Sequence, residues 1–307
     1  MEKRKLTKII ETEQEDDLIP KPTSDIFTAV LWSPPENEPI LCSFINAVLL
    51  DIGMTPITRA VVLNPFNIKE FAPNKAIILD VRVKDENERW FNIEIQVASH
   101  PAFANRVLYY WSDIYTQQLQ VGKGYETLRP VISIILTEFA IFPMLTNVHN
   151  VFQITAKENP NVLLTDHFQI HFLRLSDVLK GQLQKLQSVC RELRHWFNFF
   201  LFGATKTEEE MAVLVENDPI IREAYSELHR FYANDEMREK IRQRHRFLVD
   251  YNLGMASSRE EGKIEGKMEG KIEGRIDIAR NMREEGFDSG IIAKITGLSL
   301  EEIERLN

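Results

Sequence analysis

Two short segments constrain the fold of this chain more than any others. Residues 77–84 read Ile-Ile-Leu-Asp-Val-Arg-Val-Lys, and residues 90–97 read Trp-Phe-Asn-Ile-Glu-Ile-Gln-Val. Successive side chains of a strand point to opposite faces, so Ile77, Leu79, Val81 and Val83 form an apolar row and Asp80, Arg82 and Lys84 a polar one. The second segment repeats the arrangement, with Phe91, Ile93, Ile95 and Val97 apolar against Asn92, Glu94 and Gln96. Between them, Asp85-Glu86-Asn87-Glu88-Arg89 is a polar loop of the kind that closes an antiparallel hairpin. Pairing Lys84 with Trp90 sets Asp80 directly across from Glu94. A slip of one residue would put each apolar row beside polar partners, so burial of one face specifies this register.

Side chains directly opposite in such a pair have Cβ atoms roughly 4.5–5.5 Å apart. Two carboxylates that close repel, and their presence calls for a compensating cation or a raised pKa. A divalent metal supplies that cation, and hard oxygen ligands suit Mg²⁺, which keeps several waters and takes one or two carboxylates. Such an ion can generate a hydroxide nucleophile and polarise a phosphodiester, with Gln96 projecting into the same space. Strand geometry alone leaves a second reading open. In it the polar face is simply solvated, and Asp80 is neutralised by Arg82, Lys84 or Arg106.

Around the hairpin the chain alternates between helical and extended patterns. Residues 1 to about 18 are polar, mixed in charge and poor in aromatics, so loose order is expected there, with the fold beginning near Pro20. Thr23 or Ser24 can cap a short helix through Leu31, and Ile40 to Leu50 repeats apolar residues at helical spacing before Gly53. Extended runs fall at Ala60–Pro65, Ala76–Lys84 and Trp90–Ala98, followed by a helix from about Pro101 to Gln120. Further strands fall at Val131–Phe139, near Val151, and at Phe168–Leu173. Strands and helices on this spacing indicate an α/β sandwich. From Ser176 to about Asn252 the pattern is helical, with helices expected at Val178–Phe202, Glu208–Val215, Pro219–Tyr232 and Glu236–Tyr251.

The tail changes character. Glu-Gly-Lys-Ile, Glu-Gly-Lys-Met, Glu-Gly-Lys-Ile and Glu-Gly-Arg-Ile follow one another from Glu261 to Ile276. Four residues are slightly more than one helical turn, so Ile264, Met268, Ile272 and Ile276 form one drifting stripe and Gly262, Gly266, Gly270 and Gly274 another. Glycine costs about 0.8–1.0 kcal/mol per interior helical position, and the i,i+4 pairs here are like charges, so an isolated helix should be weak. Self-association through these stripes resolves the conflict and is favoured over a disordered linker. The last segment reads as two short helices about Thr296-Gly297-Leu298-Ser299, with Ser299 and Glu302 forming a capping box. A DNA-contacting helix-turn-helix and a plain helical hairpin both fit that pattern.

Several classes of function are excluded. Cys42 and Cys190 are far apart and match no metal or redox spacing, so they read as ordinary thiols in a reducing compartment. No leader-like or bilayer-length apolar stretch is present, which points to a cytoplasmic protein with no membrane partner. The formal net charge of -9 repels phosphates on average, so binding of DNA must use local basic patches or bound metal. The run Arg238, Lys240, Arg242, Arg244, Arg246 is one such patch, although a solvated helix face is the commoner meaning of such a run. His167 and His171 lie on a strand pattern without an adjacent acid and are read as non-catalytic.

Several elements together resemble a known family. Thr23-Ser24-Asp25-Ile26-Phe27, the helix Phe44-Ile45-Asn46-Ala47-Val48-Leu49, Asp80 in Leu-Asp-Val, Glu94-Ile95-Gln96, and Arg106 followed by Tyr109-Tyr110 and Tyr115 resemble the PD-(D/E)XK nuclease family transposases, also called the Rpn or recombination-promoting nuclease family. The resemblance covers about Pro20 to Phe142, and the helical region and repetitive tail are also similar. It implies an α/β fold with a restriction-endonuclease-like core, a central mixed β-sheet flanked by helices, at residues 19–180. A helical subdomain at 181–255 and the repeat helix with its helix-turn-helix-like end at 256–307 would follow. It further implies a Mg²⁺-dependent DNA endonuclease, with Mn²⁺ able to substitute, in which Asp80 and Glu94 are the metal ligands. Gln96 would stand where a lysine is usual, Asp25 would be an extra acidic group, and Arg106 would contact the phosphate or steady a carboxylate. Leu79 replaces the usual proline, and Gln96 cannot bring a lysine's charge. The alternative is therefore a catalytically weak or inactive member that acts as an oligomeric DNA-binding or regulatory protein. Tyr109 and Tyr110 on a helix against a sheet read first as core aromatics.

Overall fold

The computed structural model describes residues 21–65, 80–97, 102–179 and 181–306. The loosely ordered segment expected before residue 19, and the apolar positions Ile77 and Leu79, lie outside the described residues. The chain divides into two compact units, 1–243 and 244–307.

The first unit is built on six strands: β1 (Ala60–Val62), β2 (Asp80–Asp85), β3 (Trp90–Gln96), β4 (Val131–Thr137), β5 (His149–Phe152) and β6 (Phe168–Arg174). Their order is β1-β2-β3-β4-β6-β5. The pairs β1·β2, β2·β3 and β5·β6 are antiparallel, whereas β3·β4 and β4·β6 are parallel. Parallel strands are covered on both faces and read as continuous apolar runs. Accordingly Val-Ile-Ser-Ile-Ile-Leu-Thr of β4 is buried at every position.

Helices cover both faces of the sheet. On one side lie α1 (Asp25–Trp32) and α2 (Glu38–Asp51), together with α5 (Arg191–Phe202), α6 (Glu208–Leu214) and α7 (Pro219–Ala233). Their apolar residues share one cluster with Val81, Val83, Phe91, Ile93, Ile132, Ile134 and Leu136. Trp32 stacks on Phe44 with ring centroids 4.9 Å apart, and Phe44 meets Trp196 edge-on at 5.2 Å. The opposite face packs against α3 (Phe103–Gln117), whose Phe103 and Val107 join Ile135, Phe168, Ile170 and Phe172. The hairpin faces are thereby fixed, with odd-numbered Val81, Val83, Phe91 and Ile93 toward α1 and α2, and Asp80, Glu94 and Gln96 toward α3.

One expected helix is broken. Instead of a single run over Val178–Phe202, the chain forms a short α4 (Ser176–Leu179), a 3₁₀ segment at Leu183–Ser188, and then α5. Gly181 at φ 87° turns the backbone between the first two. That left-handed conformation is available to glycine and ends a helix.

The helix expected at Glu236–Tyr251 does not stop there. It is part of α8 (Asp235–Glu284), which begins in the first unit and runs through the repeat. In the second unit α9 (Ser289–Thr296) and α10 (Leu300–Glu304) follow. Ala279, Ile292, Leu298 and Ile303 form its core. Gly297, at φ 68°, ends α9, and the Ser299–Glu302 capping box starts α10. Over the repeat, Ile264, Met268 and Ile272 are at least half exposed. A Cβ added at Gly262, Gly266, Gly270 or Gly274 would meet nothing within 4 Å.

A buried polar chain ties α2 to the far edge of the sheet. Asp51 Oδ2 lies 2.6 Å from His149 Nδ1, and His149 Nε2 lies 2.9 Å from His171 Nδ1. The backbone N–H of Cys190 donates to Asp51 Oδ1 at 2.6 Å. A carboxylate can only accept, so His149 donates from Nδ1. Burial and then the neighbouring His149 push the His171 ring from 6.5 down to about 3, which keeps it neutral. Burial alone would raise Asp51, but its bonds to His149 and Cys190 outweigh it and hold the carboxyl low. For both groups the unfolded chain binds protons more readily, so stability is lost as pH falls. For His171 the window runs from 6.5 to about 3. Replacing it, as in His171→Leu, should flatten the pH dependence of unfolding free energy across that window in urea titrations. An unchanged slope would show that His171 is not the group responsible.

Candidate active site

The pairing of β2 with β3 sets Asp80 opposite Glu94, Arg82 opposite Asn92 and Lys84 opposite Trp90. This is the register expected from alternation. It is reinforced from the edge, where Asn64 Nδ2 donates to the Asp80 carbonyl at 2.9 Å and Asn64 Oδ1 accepts from Arg82 N–H at 2.7 Å. At the turn, Asp85 Oδ1 accepts from the backbone N–H groups of Asn87 and Arg89 at 2.9 and 2.7 Å, and Glu88 takes the left-handed conformation at φ 64°. Asp85 thus closes the hairpin through local side-chain-to-backbone bonds, as aspartate does in tight turns.

On β3 the polar face is not solvated at Asn92 and Glu94, whereas Asp80, Arg82 and Lys84 of β2 are half-buried. Glu94 is 1% exposed and Asn92 2%, because α3 lies over them. From α3 the Arg106 guanidinium reaches down, and its Nη2 donates to Glu94 Oε1 at 2.8 Å and to Gln96 Oε1 at 2.7 Å. Asp80 is more open and pairs with Arg82, whose Nε lies 3.0 Å from Asp80 Oδ2. Burial raises the Glu94 pKa. The positive charge of Arg106 opposes the shift, and the negative charge of Asp80 adds to it. Burial also raises Tyr110, with Arg106 opposing and Glu94 and Asp80 adding, which sets its hydroxyl in the same electrostatic neighbourhood.

Glu94 Oε2 is buried and has no hydrogen-bond partner among the described residues. A buried carboxylate oxygen left unpaired is costly, so this atom is where a cation would be most stabilising. Among the described residues no three His, Cys, Asp or Glu side chains gather as a ligand group. A two-carboxylate donor set of oxygen atoms fits Mg²⁺, which binds through one or two carboxylates and retains waters. The donors therefore fit a hard divalent ion and not a soft-ligand metal.

Four of the expected site residues, Asp80, Glu94, Gln96 and Arg106, come together on the α3 face of the sheet. Asp25 opens α1, where its Oδ1 accepts the N–H of its neighbour Ile26 at 2.8 Å. Tyr109 departs from expectation. It is 68% exposed and not a core aromatic, because the face of α3 toward the sheet is taken by Phe103, Val107 and Ile114. Glu138 went unnoticed in the sequence. Its N–H donates to the Gln96 carbonyl at 3.3 Å, and its Oε1 accepts from Thr23 Oγ1 at 2.5 Å. Only the parallel β3·β4 pairing brings it beside Gln96, and such pairing across a long crossover leaves no local sequence signal.

Comparison with known protein families bears on this geometry. Residues 22–258 match the family described as PD-(D/E)XK nuclease family transposase. The chain belongs to that family. Residues 273–307 match the Rpn/YhgA-like nuclease family, C-terminal HTH domain, which covers α9 and α10. No curated protein and no solved structure matches the chain. The six-stranded mixed sheet flanked by helices is the nuclease-like fold of this PD-(D/E)XK member, and its second unit carries the HTH region.

The Arg106–Glu94 pair yields a direct test. Removing one partner of a buried ion pair leaves the other charge uncompensated, at a cost of about 3 kcal/mol or more. Arg106→Met should lower stability by that order in urea denaturation, and adding Glu94→Gln should recover part of the loss. Additive losses in the double variant would show that the two side chains are not coupled.

Proposed function

We propose that this PD-(D/E)XK member is a Mg²⁺-dependent endonuclease that hydrolyses DNA phosphodiester bonds, in the service of recombination, transposition or defence against mobile elements. The observation that carries this reading is the unpartnered, buried Glu94 Oε2 on the strand directly across from Asp80. Asp80 and Glu94 would hold the ion, and Mn²⁺ could substitute. When bound, such an ion lowers the pKa of a water and polarises a phosphoryl oxygen.

The chain's own residues have separate parts. Arg106 engages Oε1 of Glu94 and so leaves Oε2 as the donor atom. The same Nη2 donates to Gln96 Oε1, and the Gln96 side-chain amide also carries an NH₂, a hydrogen-bond donor. That NH₂ can donate to a phosphate oxygen or orient the attacking water. Gln96 lacks the charge of the usual lysine, and Arg106 brings a guanidinium to the same place from the helix above. Asp25 is retained as an accessory acid. It follows Thr23, which is bonded to Glu138 at the Gln96 end of the sheet.

Asp80→Ala should abolish Mg²⁺-dependent nicking of a supercoiled plasmid while leaving the fold intact by circular dichroism. Activity equal to wild type would remove the reading. Because Glu94 must ionise to hold a cation and its pKa is raised, Mg²⁺ affinity should fall with decreasing pH from a higher pH than an ordinary carboxylate would give. Calorimetric titration of Mg²⁺ at a series of pH values from neutral downward checks the direction.

The tail supports a second element of the proposal, self-association. Ile264, Met268 and Ile272 are 52%, 61% and 50% exposed, between an acidic stripe from Glu261 to Glu273 and a basic stripe from Lys263 to Arg275. A second copy would cover the apolar row and pair the two stripes between chains. Light scattering should give an oligomeric mass for the wild type and a monomer for the triple variant Ile264→Lys, Met268→Lys, Ile272→Lys. A monomeric wild type would exclude it.

A further inference from the structure

Helix α3 carries more than Arg106 on the flank that borders the carboxylates. Its sheet-facing residues, Phe103, Val107 and Ile114, are buried, which fixes the rotation of the helix about its axis. Residues three and four apart share a side of a helix, so Tyr109 and Tyr110 follow Arg106 on the same flank, one turn further on. Tyr110 lies partly buried in the field of Glu94 and Asp80. Tyr109 lies outside it with most of its ring in solvent, at 68% exposure. The two rings meet at 61° with centroids 5.9 Å apart, so Tyr110 backs Tyr109 and limits its swing.

An aromatic ring left in water one turn from the candidate catalytic groups calls for an occupant. The charge distribution indicates which one. The formal net charge is -9, and the cations of the Arg238–Arg242 stretch are paired within their own helix, Arg238 with Asp235, Lys240 with Glu236 at 3.3 Å and Arg242 with Glu239 at 2.8 Å. Gripping a duplex relies on many phosphate contacts by cations, whereas a single strand adds to such contacts the stacking of its bases on aromatic rings, a gain that does not depend on charge.

We propose that Tyr109 is a stacking platform for an unpaired base adjacent to the cleaved phosphodiester, and that the preferred substrate is single-stranded or locally opened DNA. The proposal rests on the nuclease reading above. Tyr109 acts as a specificity residue and takes no part in the bond-breaking step.

The test uses the full-length protein with Mg²⁺ and three oligonucleotides of one sequence: single-stranded, a duplex with a central bubble, and a perfect duplex. Each carries 2-aminopurine, whose fluorescence is quenched when it stacks. Wild type should bind the first two more tightly than the duplex and quench their probe. Tyr109→Ala should lose about tenfold in affinity for those two, within the range for one base stacked on an aromatic ring, and lose the quenching. Its affinity for the duplex should not change. Tyr109→Trp should restore both readouts, and Tyr125→Ala, an exposed aromatic outside α3, should leave them at wild-type values. Equal loss on all three substrates, or no loss on any, overturns the stacking role while leaving the nuclease reading standing. Wild type that binds none of the three overturns both.

Discussion

A single guanidinium holds the centre of this structure together. Glu94 sits on an interior strand, nearly sealed from solvent, where an uncompensated charge would be untenable. Arg106 answers it from the helix above, and because the same Nη2 also engages Gln96, one side chain fixes two positions of the strand. The arrangement requires α3 to dock at one rotation only. Phe103 and Val107 set that rotation by packing against Ile135 and the β6 residues Phe168, Ile170 and Phe172. Apolar packing on one side of the helix therefore positions polar chemistry on its flank. A change in either would be felt by the other.

Much of this was legible in the sequence because it is encoded locally. The β2–β3 hairpin was readable from alternation, since a strand with one greasy face has only one acceptable register and Lys84↔Trp90 carries Asp80↔Glu94 with it. The Ser299–Glu302 capping box was readable for the same reason, the whole motif lying within four residues. What was not legible depends on contacts distant in sequence. Strand alternation could not tell a solvated polar face from one roofed by α3, because the roof is a separate helix. Glu138 could not be connected to Gln96 before the parallel strands were paired. Tyr109 is not legible as exposed, because an aromatic on a packed helix is usually core, whereas here the sheet-facing positions are filled by Phe103, Val107 and Ile114. The break before α5 hinged on the backbone at Gly181, a turn that the apolar spacing of 178–202 masks.

The repeat shows the opposite failure. Its glycines and like-charge spacing argue against a stable isolated helix, yet α8 runs unbroken through it. Glycine neither fills space nor is crowded there, since a Cβ at any of the four positions would meet nothing within 4 Å. A side chain is thus absent without being excluded by anything among the described residues. Under the proposed self-association, these glycines would give a second copy a surface to approach closely, and the acidic and basic stripes beside them would select a like-patterned partner.

In the proposed site Gln96 takes the place of the usual lysine, which has a structural consequence for how charge would be delivered. A lysine on β3 would be held by the sheet, the most rigid part of the unit, whereas the guanidinium of Arg106 depends on α3 staying in place. The positive charge beside the carboxylates is then coupled to a helix whose exposed flank carries Tyr109. Anything that presses on that flank acts on the position of the charge as well. In a site where the motif residue is neutral, the helix above becomes the element through which substrate contact and charge placement can be joined, and the pairing of Arg106 with Tyr109 and Tyr110 on one flank is the arrangement such a coupling needs.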